Sequence, residues 1–212
     1  MRPPSKSGLF AAAKGWAADT VAATLAAAPA LLPACDARGR TALHIACAVR
    51  PGNASLGEPA GIRTVGVLLD AGADLEAAVP MEEDEGDFRA TPLWYAVARG
   101  ENPSLVRFLL QRGADPSSSL WAAVWRDDAS LCQELLDAKP RLNQQAHGET
   151  PMFYAARLQR LQTLDLLIEA GADPTIADPK GRDALAIAEA RRLPSPVIER
   201  LRKLKENRLA RS

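Results

Sequence analysis

Apolar positions recur along the chain in two alternating kinds of block. Short blocks begin with a small or hydroxylated residue and continue at helical spacing: "TALHIA" at 41–46, "TPLWYA" at 91–96, "TPMFYA" at 150–155 and, eroded, "DALAIA" at 183–188. Threonine caps such a helix and proline suits its first position. Longer amphipathic runs follow, "VGVLLDAGAD", "VRFLLQRGAD" and "LDLLIEAGAD", in which apolar residues again fall at helical spacing before a glycine that ends the helix. Each unit is therefore predicted to be a helix pair followed by a turn. Alone, neither helix buries its apolar stripe, whereas stacked pairs form a continuous core.

The blocks keep a period. Thr150 and Asp183 stand 33 residues apart, "SSLWAA" at 118–123 precedes "TPMFYA" by 32, and "SGLFAA" at 7–12 precedes "TALHIA" by 34. Six units then cover almost the whole chain, at about 5–35, 36–77, 86–116, 117–144, 145–177 and 178–208. The 50-residue gap between Thr41 and Thr91 predicts two insertions, "RPGNASLGEPAG" near 50–61 and an acidic stretch at 80–88. The 27-residue step from Thr91 to Ser118 is short, with the turn after "GADP" trimmed to serines.

"DARGRTALHIA" followed by "VGVLLDAGADLEA" resembles the ankyrin repeat, with its T-P-L-H-x-A signature and period of about 33. The resemblance implies an all-α ankyrin-repeat solenoid of about six helix-turn-helix units, with turn or hairpin tips and atypical terminal caps. It also implies a single domain over 1–212. Units one and four depart from the pattern, replacing "GAD" with proline-containing turns.

Composition narrows the function. The chain has 212 residues, and its 26 lysines and arginines cancel 26 aspartates and glutamates, so no overall field draws it to nucleic acid or to an anionic membrane. Cys35, Cys47 and Cys132 form no CxxC spacing, which predicts a reducing, cytoplasmic setting and no disulfide framework. The apolar stretch at 21–35 lies too far from the start and behind Asp19 to read as an export signal. No GxSxG, GxxxxGK[ST], HExxH or GxGxxG motif is present. The chain is expected to be no enzyme and to carry no cofactor or metal. His44 and Cys47, three apart, could pair on a helix face as ligands with Cys35. In the other units, however, the His44 slot holds Trp94, Trp121, Phe153 or Ala186, and the Cys47 slot holds Val97, Val124 or Ala156. Those substitutions mark packing positions. The resemblance implies that His44 bonds back to Thr41 and toward the neighbouring turn.

The resemblance further implies partner binding on a concave groove built from turn tips and the ends of the first helices. Carried over, that surface contains Arg50, Arg99, Arg126, Arg157 and Arg191, with Trp125 beside Arg126. Two readings stand: the arginines pair with carboxylates of neighbouring turns, or with Trp125 they anchor an acidic segment of another protein. The tips add Arg38, Arg40, Phe88, His147, Glu149, Lys180 and Arg182. Phe88, which follows an acidic run, is either tucked against a helix or offered to a partner. The basic end at 195–212 is expected to be the second helix of a capping unit. The expected function is non-catalytic protein–protein interaction, with no small-molecule substrate. An inhibitor or immunity-type protein that blocks an enzyme, and a structural or oligomerising spacer, are the alternatives.

Overall fold

The computed structural model describes residues 3–52, 57–80 and 88–210. The chain forms two compact units, Met1–Glu85 with Arg89–Asp115, and Gly86–Phe88 with Pro116–Ser212. Twelve α-helices lie among the described residues.

In the first unit, α1 (Lys6–Lys14), α3 (Ala42–Cys47) and α5 (Pro92–Tyr95) are the first helices of three pairs. Their partners are α2 (Ala18–Ala27), α4 (Glu58–Asp70) and α6 (Pro103–Gln111). First helices pack on first helices and second on second, so the unit has two layers with the core between them. Leu9, Trp16, Leu43, Leu68, Leu93, Leu105 and Leu109 fill that core. Two-residue strands β1 (Val79–Pro80) and β2 (Arg89–Ala90) pair antiparallel, Val79 opposite Ala90. The acidic residues 82–87 lie outside the described residues. Within the other stretch, 50–61, α4 begins at Glu58, with Pro59 in its first turn, where proline's missing N–H costs no hydrogen bond.

The second unit repeats the arrangement. Its first helices are α7 (Leu120–Arg126), α9 (Pro151–Leu158) and α11 (Ala184–Ala190), backed by α8 (Ala129–Asp137), α10 (Leu161–Glu169) and α12 (Ser195–Leu209). Phe153, Met152, Leu164 and Leu167 are fully buried in its core.

Local chemistry accounts for the helix ends. The Thr91 hydroxyl accepts the Trp94 N–H at 3.3 Å, Thr150 that of Phe153 at 3.2 Å, and the Asp183 carboxylate that of Ala186 at 2.9 Å. Asn102 and Asp128 cap α6 and α8 in the same way. The "GAD" glycines Gly72, Gly113 and Gly171 adopt φ of +94°, +92° and +77°, the left-handed turn only glycine adopts without strain.

The basic C-terminal helix is tied to its own unit. Arg200 pairs with Asp165 and Glu169, Arg202 with Glu189, Lys205 with Asp183 and Arg208 with Asp173. Val197 and Leu201 bury its apolar side. Much of its positive charge is thus matched by carboxylates of neighbouring elements.

Candidate functional site

His44 and Cys47 both lie in the interior of the first unit. His44 has no exposed surface. The Thr41 N–H donates to its Nδ1 at 3.2 Å, so that nitrogen is unprotonated, and Nε2–H donates to the Ala77 carbonyl at 2.9 Å. The ring thus ties the start of α3 to the end of the following turn. Both ring nitrogens are engaged, which leaves none for a metal. Cys47 is fully buried and Cys35 exposed, and burial pushes the Cys47 thiol far above its ordinary range. Burial, with Asp127 and Asp128 nearby, takes the Cys132 thiol up to about 12. Both thiols are thus held in the protonated form near neutral pH. Among the described residues, no group of three or more His, Cys, Asp or Glu is placed to hold a metal.

Burial also lowers the His44 pKa, partly offset by the Ala77 and Ala90 carbonyls. The unfolded chain therefore binds a proton near pH 6.5 that the fold refuses, so His44 contributes stability that is present above that pH and lost as pH falls. Thermal melts between pH 7 and pH 5 should show this loss, and His44→Gln should flatten it; an equally steep profile in the variant refutes the assignment.

The arginines do not form one uniform set. In the first unit, Arg50 pairs with Glu101 and donates through Nε to the Arg99 carbonyl at 3.2 Å. The Arg99 guanidinium lies 6.0 Å from the centre of the Trp94 ring. Arg40 holds its own turn: Asp36 accepts the backbone N–H groups of Arg38 and Arg40, and its other oxygen meets the Arg40 side chain at 2.7–2.8 Å. Those bonds hold the Asp36 carboxyl below its usual range despite desolvation, which acts to raise it. Asp178 and Arg182 repeat the device in the second unit. Arg38 stays exposed at the turn.

In the second unit, Arg157 makes a two-nitrogen contact with Glu149 at 3.0–3.1 Å and lies 5.0 Å over the Tyr154 ring. Tyr154 stands 5.0 Å from Trp121, which is 8% exposed. Counted from the motif slot, Arg157 occupies the place of Trp125, Ala48 and Ala98, one position before that of Arg99 and Arg126. A shift of one residue turns a helical side chain by about 100°, so the expected once-per-unit stripe is uneven. Arg191 is exposed at the end of α11. Phe88 is only 8% exposed and is not offered to a partner, contrary to its place among the expected binding residues. Trp125 is the opposite case, 50% exposed on α7, while Leu120, Ala123 and Val124 bury the other side of that helix. Among the described residues, the large apolar side chains this exposed are Trp125 and Leu209.

A groove along the first unit's first helices was not foreseen. It has a volume of about 480 Å³, with Phe10, Ile45, Ala48 and Val49 along its floor and Lys14, Arg40, Arg50 and Arg99 around it. Lys14 escaped notice because it belongs to the weakest copy of the motif. No helix of the described residues is long and apolar enough to cross a membrane.

Comparison with known proteins agrees with this architecture. The family profile of three tandem ankyrin repeats matches residues 120–202, and that of the single ankyrin repeat matches 38–78 and 89–119. Similar sequences include phosphocholine transferase AnkX of Legionella pneumophila, 30% identical over 62% of this chain and 14% of that protein. Protein PhlB of Serratia liquefaciens is 32% identical over 55% of this chain and 55% of its own. The chain thus spans about half or less of these relatives. Among solved structures, the ankyrin repeat domain of Bcl-3, a member of the IkappaB family, superposes with a TM-score of 0.69 at 28% identity, covering 92% of this chain and 81% of that one.

Proposed function

Because the chain belongs to the ankyrin repeat family, we propose that it is a non-catalytic module that binds another protein through the exposed face of its first helices and the adjoining turn tips. The half-exposed Trp125 carries this reading. A half-exposed indole on a helix whose other apolar residues are buried is a standing apolar cost to the free protein, and tryptophan and arginine are among the side chains most enriched at binding hot spots. Arg126 and Arg191 in the same unit, and Arg38 and Arg99 in the other, suit a partner with an acidic segment. The non-catalytic reading is supported by the fate of the reactive side chains, with His44 bonded at both nitrogens and two of the three thiols buried. Three free cysteines suit a reducing, cytoplasmic setting.

The test is affinity capture from a lysate of the source cell, wild type against Trp125→Ala, with mass spectrometry and then titration of the partner identified. The variant should melt within about 1 kcal/mol of wild type, since half of the indole already lies in solvent. It should bind the partner at least tenfold more weakly, in line with the loss of a hot spot worth about 2 kcal/mol. Unchanged affinity would remove Trp125 from the interface, and self-association without any heterologous partner would overturn the proposal in favour of a spacer.

A further inference from the structure

A second groove lies in the second unit, on the layer of second helices and not on the first-helix layer that carries Trp125. It has a volume of about 480 Å³ and sits between the ends of α8 and α10, with half-buried Leu136, Pro140, Leu142 and Leu166 along its floor. Its rim holds Asp137, Lys139 and Glu169, all exposed. Glu169 is matched within the unit by Arg200 at 3.2 Å. The other two meet no opposite charge. Among the described residues, the Asp137 carboxylate is bonded only to the neutral Gln133 amide, at 2.8 Å, and the Lys139 side chain makes no hydrogen bond or ion pair.

Lys139 also stands where the other repeats carry glycine. It follows the last residue of α8 by two, the place that Gly72, Gly113 and Gly171 hold after α4, α6 and α10, and it shares their left-handed backbone with φ of +58°. Any side chain at that place works against the turn. A lysine that is strained there and has no partner inside the fold is explained by nothing in its own unit, so its counter-charge is to be sought on another molecule.

We propose that this groove is a homodimer interface, in which two copies pack their Leu136–Leu142–Leu166 floors together across a two-fold axis and Lys139 of each protomer pairs with Asp137 of its partner. Charge complementarity selects the occupant. The unmatched charges of the rim are one of each sign, two residues apart, so neither a uniformly acidic nor a uniformly basic segment satisfies both. A two-fold axis beside them reverses their order and sets each opposite its counter-charge, which is the self-complementarity an isologous interface requires. The floor then loses its contact with water in both copies at once. The first-helix face is left open, so the dimer would keep both copies of Trp125 available to a partner.

Sedimentation equilibrium of the full chain between about 5 μM and about 1 mM tests this, and wild type should pass from monomer to dimer within that range. Asp137→Lys and Lys139→Asp, each with an unchanged circular dichroism spectrum, should each weaken association more than tenfold. An equal mixture of the two should dimerise again, because one variant then presents two lysines and the other two aspartates. Lys139→Gly should weaken the dimer while melting at a higher temperature than wild type in dilute solution, since glycine relieves the left-handed turn. A lysine with a purely structural role would not move those two readouts in opposite directions. A monomer across the whole range overturns the proposal, as does a dimer that the single variants leave intact or a mixture of them that stays monomeric. If wild type is monomeric yet captures from lysate a protein that Lys139→Asp loses, the groove belongs to that protein and not to a second copy. None of these results touches capture through Trp125, so the two readings fail separately.

Discussion

Gly100→Ala should destabilise the first unit by about 3 kcal/mol or more, as expected of overpacking against backbone. A Cβ on Gly100 would lie 2.4 Å from the Cys47 carbonyl oxygen, with the Val49 and Tyr95 carbonyls at 3.4 and 3.5 Å. All three obstacles are backbone, and the nearest belongs to the last turn of α3, so no rotamer change relieves the contact. The close approach has a local cause. After α5 the chain runs through a π-helical turn, Ala96–Gly100, which accommodates one residue more than the corresponding stretches of the second unit. Asn102 caps the following helix one place later, relative to Trp94, than Asp128 and Arg160 precede theirs relative to Trp121 and Phe153. The left-handed residue moves likewise, to Glu101, where its carboxylate meets Arg50.

Two other glycines separate this effect from the general cost of losing one. Gly113→Ala meets nothing within 4 Å and suffers only from its φ of +92°, which should cost about 1 kcal/mol. Gly66→Ala, inside α4 with only an ordinary 3.7 Å contact to Phe108, should be neutral or stabilising by up to about 1 kcal/mol. Urea denaturation followed by circular dichroism, with hydrogen exchange to assign the loss to the first unit, orders the three variants. A Gly100→Ala variant within 1 kcal/mol of wild type would mean that α3 yields at its end and that the π-helical turn is not constrained.

The repeated phrases made the helix pairs legible because each phrase is a complete local instruction. Threonine, proline and an apolar face start one helix, and glycine with a left-handed backbone ends the other. The same comparison between copies reads His44 and Cys47 as packing residues, since one slot also accepts tryptophan and phenylalanine and the other valine and alanine, none of which can ligate a metal. What stayed hidden depends on phase or reach. An inserted residue at the end of α5 cannot be placed within the segment by reading it, because "VARGENPS" and "AVWRDDAS" look alike until the π-helical turn is seen. Arginine side chains are long enough to reach either a partner or a nearby carboxylate, and the choice made by Arg50 and Arg157 depends on where Glu101 and Glu149 stand in space. The Lys14 groove needed two helices from the less regular end of the chain to be set side by side.

Trp16 shows the same limit with a large energetic consequence, and Trp16→Ala should cost the first unit about 3–5 kcal/mol. It lies outside the motif slot that holds Trp94 and Trp121, at the left-handed position that follows α1, with φ of 54°. In the second unit that position holds Asp127, Gln159 and Arg192, all polar, so comparison of copies suggests a solvated turn. Instead the indole is completely buried, and its Nε1–H donates at 2.9 Å to the Ala46 carbonyl near the C-terminal end of α3. In a six-residue helix the terminal carbonyls are a large share of all its hydrogen-bonding groups, and this one is satisfied from a neighbouring pair. On its other side the ring lies so close to Gly61 of α4 that a Cβ there would come within 2.8–3.0 Å of three indole atoms. One side chain thus links the end of α1 to both helices of the next pair. Trp16→Phe, which keeps apolar bulk but leaves the Ala46 carbonyl without its donor, should cost less, about 1–3 kcal/mol. Gly61→Ala should cost about 1–3 kcal/mol in the wild-type background by overpacking. Combined with Trp16→Phe it should cost at least 1 kcal/mol less than the sum, because the smaller ring withdraws from the added methyl. Strict additivity in that double-mutant cycle would show that α4 shifts away from the indole and that ring and glycine are not matched in shape.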